Sequence, residues 1–127
     1  MPFPDSHEVY LNCTPTIPCI ASEDVVENDI VFLTVSASGR CTAAKASAVS
    51  NALGASHILF SVRRGGLTGQ PCEVTLIHAV YTGASGNVGE ALYLADAPGT
   101  LASTDDAGVS RAVAVRVPGG YVFSGSI

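Results

Sequence analysis

The residues of this chain best equipped for chemistry are four cysteines, Cys13, Cys19, Cys41 and Cys72, and three histidines, His7, His57 and His78. An imidazole within reach of a thiol activates it as a nucleophile. His57 and His78 fall in expected strands and Cys72 near the start of the second, so a Cys–His pair is conceivable, but nothing in the spacing requires the two to meet. No two cysteines are spaced as Cys-x-x-Cys, and no pair of histidines completes a zinc pattern. Buried, reduced thiols are the expected state in a reducing cytoplasm, with a small Cys13–Cys19 disulfide loop as the alternative.

Two further stretches approach known motifs. Gly83-Ala84-Ser85-Gly86-Asn87-Val88-Gly89 is rich in glycine. A phosphate cradle needs a helix after such a loop, so that free N–H groups meet the anion. Here Ala91-Leu92-Tyr93-Leu94 reads as a strand and no lysine follows. Ser85 also lacks the second glycine of a Gly-x-Ser-x-Gly elbow, because Asn87 stands there. The loop is therefore expected to be a turn between strands. The acids are scattered, with no pair fixed on one face. No catalytic residue, metal or cofactor is expected. Arg63 and Arg64 are expected at a hairpin tip, either solvated or paired with acids of a partner; a pair exposed in this way contributes only about 0–1 kcal/mol.

The elements that would carry these residues are mostly strands. Asp29 to Val35 places Ile30, Phe32 and Thr34 on one face and Val31, Leu33 and Val35 on the other, so burial on both sides is expected. Ser36 to Gly39 supplies a turn. Thr42 to Leu53 is the one helical candidate: Thr42 caps it, Gly54 ends it, and its alanines favour helix. The runs His57 to Val62 and Glu73 to Tyr81 alternate and suggest a long-looped hairpin. Glu90 to Leu94, Val109 to Val117 and Tyr121 to Phe123 follow as short strands, the last two joined at Pro118-Gly119-Gly120. The fold expected is all-β, a small barrel or sandwich with one short helix.

Residues 1–22 differ from the rest. Pro2, Pro4, Pro15 and Pro18 discourage helix. Phe3, Val9, Tyr10, Leu11, Ile17 and Ile20 make the segment more apolar than a disordered tail. An extended N-terminal arm over 1–22 that docks on a neighbouring subunit is expected, ahead of a β domain over 23–127. Phe3, Val9, Tyr10, Leu11 and Ile17, with Arg63 and Arg64, are the candidate partner-binding residues.

Composition narrows the classes of function. Charged residues make up 13% of the 127, against about 25% in a typical soluble domain, which suits a surface partly hidden in an assembly. Residues 1–39 carry six acids and no base, and residues 40–127 five acids and six bases, giving −6 and +1 for the overall −5. Phosphate backbones are bound by clustered Lys and Arg, so no nucleic-acid partner is expected. No run reaches the roughly 18 apolar residues of a membrane helix, so no membrane is expected either. The start lacks a basic region followed by an apolar core, and folding in a cytoplasm is the expectation.

The run from Tyr81 to Leu101, with its glycine loop, Tyr93-Leu94 and Pro98-Gly99, resembles a segment of the head decoration proteins of tailed bacteriophages. The resemblance continues to the apolar strand Ala112-Val113-Ala114-Val115. Upstream, Val26-Glu27-Asn28-Asp29-Ile30-Val31 looks like that family's Gly-Asp-x-Val entry strand, with Asn28 where glycine is usual. Gly54-Ala55 looks like a further shared step. The likeness spans roughly residues 25–117. It implies a small β-barrel, commonly a homotrimer, seated on the outer surface of the capsid where major capsid protein subunits meet, as a structural cement. A phage tail fibre or receptor-binding β-module is the alternative.

Overall fold

The computed structural model describes residues 16–49, 53–54, 57–83, 86–104 and 112–124. They form ten strands: β1 Ile17–Ala21, β2 Ile30–Val35, β3 Cys41–Lys45, β4 Phe60–Arg64, β5 Pro71–Thr75, β6 His78–Tyr81, β7 Ala91–Leu94, β8 Leu101–Ala102, β9 Ala112–Val117 and β10 Gly120–Phe123. The first five close into a barrel of order β1-β3-β2-β4-β5, and the rest form a sheet of order β6-β10-β9-β7-β8. The all-β expectation holds.

β2 shows why the two layers stay together. Its alternation sends Val31 into the barrel interior, where it packs with Cys19, Ala21, Val25, Ala43, Val62, Cys72 and Val74. Its other face sends Ile30 and Phe32 outward to a second core, shared with Leu59, Leu92, Leu94, Val113 and Phe123. The first half of β2, Ile30 to Phe32, is thus buried on both faces and serves two cores, whereas Thr34 and Val35, also expected to be buried, are exposed at its far end. Fully burying such side chains stabilises by about 1.5–3 kcal/mol each. The barrel interior is filled by small and β-branched residues because five strands enclose little space.

Among the described residues the helix expected over Thr42 to Leu53 is not formed. Cys41–Lys45 is β3, paired antiparallel with β2 from Val35↔Cys41 to Val31↔Lys45. The following segment bridges the layers: Ala48 N–H donates to the Ala95 carbonyl at 3.0 Å, and the Ser47 hydroxyl donates to the Asp96 carbonyl at 2.7 Å. The alanines are present for their size, not their helix propensity. Ala43, Ala46 and Ala48 are buried between close backbones, and packing of this kind overrides a propensity worth only tenths of a kcal/mol per residue. Gly54, expected as a helix end, has φ +89 and lies against the Phe32 ring, where a Cβ would come within 2.6 Å.

Two other expectations are corrected. The alternating run Glu73 to Tyr81 is two strands, and the break at Leu76-Ile77 carries the chain from the barrel to the second sheet. Residues 17–21, inside the segment 1–22 expected as an arm, are strand β1 of the barrel. β1 closes the barrel, parallel to β3 and antiparallel to β5 with Ile17↔Val74 and Cys19↔Cys72.

Candidate functional site: an apolar groove at the start of the barrel

Ile17, Phe60, Thr75, Leu76 and Ile77 line a groove of about 400 Å³. β1 brings Ile17 to it, β4 brings Phe60, and the crossing between β5 and β6 brings Leu76 and Ile77. Ile17 is 39% exposed and Ile77 59%. The physical reason lies at the crossing. As the chain leaves the barrel, the Thr75 hydroxyl turns back to donate to the Ile77 carbonyl at 3.1 Å. The turn leaves Ile77 outside both cores. The groove opens where residue 16 leads into β1. Its lining is almost wholly apolar, which offers a place for an apolar side chain of another protein to pack.

Of the candidate partner-binding residues, Ile17 is in this groove. Phe3, Val9, Tyr10 and Leu11 lie outside the described residues. Arg63 and Arg64 are at the far end of β4 from Phe60, so they do not join it. They are not in a turn either: both belong to β4, which is bulged between Val62 and Arg64; Gly66 then bridges to Val25, and the turn is Leu67 to Gln70. Arg64 meets an acid of its own chain, Glu73 on the paired strand, at 3.8 Å, with side chains 76% and 41% exposed. Such a pair adds little. Phe60, Leu76 and Ile77 were missed by sequence reasoning because they read as ordinary faces of two regular strands. The only hint was the apolar Leu76-Ile77 pair within an otherwise alternating run.

The groups that might have done chemistry are held elsewhere. Cys72 is in the barrel core, and burial pushes its thiol above the ordinary value, with Cys41 adding to the effect. His57 packs on Phe32, ring centroids 5.2 Å apart. His78 Nδ1 lies 3.0 Å from the Ser61 hydroxyl. That contact joins β4 of the barrel to β6 of the sheet, and Ser61 is fully buried, out of reach of a substrate. Burial first, then the charge of Arg63, holds His78 below the usual imidazole range. Among the described residues, no three or more His, Cys, Asp or Glu side chains are grouped to hold a metal ion. In the glycine loop before β7, Ala84 and Ser85 lie outside the described residues; of the rest, Gly83 N–H donates to the Gly119 carbonyl and Gly89 N–H to the Arg116 carbonyl, both at 2.8 Å.

Compared with models of known protein families, with curated proteins and with solved structures, the chain matches none.

Proposed function

We propose that this protein is a structural cement of a tailed-phage head, binding on the outer capsid surface across junctions of the major capsid protein as a homotrimer. The observation that carries the reading is the apolar groove of Ile17, Phe60, Leu76 and Ile77, open to solvent where the N-terminal segment joins the barrel. Two sequence features support it: the likeness of residues 25–117 to head decoration proteins, and a surface with few charges. A rigid body with an apolar contact and an attached arm suits the task. Contacts repeated across several subunits hold a pressurised shell without any one of them being strong, and closed symmetry matches a local axis of the shell.

The test uses phage heads assembled without the protein. Purified protein should bind them saturably and raise the temperature at which they rupture, and light scattering should give the mass of three chains. Ile77→Glu, at an exposed position, should keep the fold and lose most of the occupancy. Binding no greater than that of an unrelated protein would overturn the proposal. So would antibody labelling of virions confined to tails, which would favour the fibre module.

A further inference from the structure

The barrel contains a pair of thiols in contact across a strand seam. Cys19 Sγ and Cys41 Sγ are 3.4 Å apart, on β1 and β3, which run parallel with Ile20↔Thr42 in register. The two cysteines therefore stand side by side on neighbouring strands, at a separation a disulfide spans with side-chain rotation alone. Cys19 is 4% exposed, whereas Cys41 is only partly buried. Both line a cavity of about 330 Å³ that is bounded by Pro18, Ile20, Arg40 and Pro71. A reagent can thus approach Cys41 from the cavity, and the cavity carries a cation, Arg40, at its edge.

We propose that Cys19 and Cys41 are a thiol-oxidation site, closed to a disulfide by a small anionic disulfide that enters the cavity beside Arg40. The Cys41 thiolate attacks one sulfur of the reagent, RSSR. That S–S bond breaks, and the first thiolate leaves and takes up the proton given up by Cys41. The Cys19 thiolate then attacks Cys41 Sγ, breaking the mixed disulfide, and the second leaving thiolate takes up the Cys19 proton. The two protein thiols lose two electrons, and one RSSR becomes two RSH. Burial, reinforced by the contact with Cys41, raises the Cys19 thiol well above its ordinary value, so the second step is the slow one. The product staples β1, the strand that closes the barrel, to β3 across 22 residues of chain.

The choice of partner is the discriminating feature. Cys72 stands opposite Cys19 on β5, and Cys13 is close in sequence, so three pairings of Cys19 compete. The folded protein is treated with glutathione disulfide, remaining thiols are alkylated, and a non-reducing digest is mapped by mass spectrometry. The expected map joins Cys19 to Cys41 and leaves Cys72 alkylated after unfolding. A Cys13→Ser/Cys72→Ser double variant should lose both remaining thiols without dimerising. Its Tm should rise by roughly 5–15 °C on oxidation, and Cys41→Ser should abolish that rise. A map that joins Cys19 to Cys13 or Cys72, a mixed disulfide that persists on Cys41, or two thiols that remain titratable would overturn the proposal. The wild-type map decides the matter even if the double variant fails to fold.

Discussion

Asn28 shows how a single position carries information that its residue type half conceals. Among the described residues it is the non-glycine residue with a left-handed backbone, φ 76; it is the third residue of the turn Val26–Asp29 that leads into β2, and its N–H donates to the Val62 carbonyl at 2.7 Å. Asparagine is the non-glycine side chain that best tolerates this conformation, so the position keeps a backbone requirement that glycine would also meet. Asn28→Gly should shift the unfolding free energy by less than about 0.5 kcal/mol, and Asn28→Val should destabilise by about 1–2 kcal/mol or more, both read by denaturant titration. His78 gives a second expectation at this scale. Its native value lies below that of the unfolded chain, so on acidification the unfolded state takes up a proton first. Its contribution to stability is complete above about pH 6.5 and is lost as the pH falls from there through the native value. Tm should fall between about pH 7.5 and pH 5.5, and His78→Gln should flatten that slope.

At the scale of elements, β1 and the Leu76-Ile77 crossing decide how the chain is organised. β1 has partners on both sides, β3 and β5, so residues 17–21 are part of the barrel and the arm reading applies only to what precedes them. A chain lacking residues 1–15 should keep its β-sheet circular dichroism and its cooperative unfolding, and under the proposed function its occupancy on phage heads should fall. A chain lacking 1–22 loses a barrel strand and should not fold; a native-like spectrum would show that β1 is dispensable. The crossing was hidden for a physical reason. Period-two alternation reports which faces are buried, but it is blind to which sheet buries them, so a strand that changes layers reads as one long strand. The Thr42 to Leu53 segment failed in the opposite way. Alanine serves a helix and a narrow interior equally well, and only the close approach of β2, β3 and the 95–99 segment distinguishes the two.

At the scale of the whole molecule, the barrel and the second sheet share a core built from β2, β7, β9 and β10. Their stabilities are therefore coupled. Leu92 is 4% exposed in that shared core, and Leu92→Ala should destabilise by about 2–5 kcal/mol. Calorimetry should record a single transition displaced to lower temperature, with no separate melting of either layer. Ile17 and Ile77, at the groove, lie outside both cores, whereas Phe60 packs against the barrel core. A charge at Ile77 should affect association and leave this transition in place.

Read alone, the sequence determined the all-β class, the strand at Ile30 to Val35 with both faces buried over its first half, and the turns at Gly39 and at Pro118-Gly119. Each of these is set by local sterics or by the periodicity of side chains along a strand. The tertiary structure alone decided the closure of the barrel by β1, the change of layer at Leu76-Ile77, the groove that it creates, and the contact of Cys19 with Cys41. These depend on which strands become neighbours, and strand pairing is selected by the burial of whole faces among residues far apart in the chain. No window of adjacent residues contains that information.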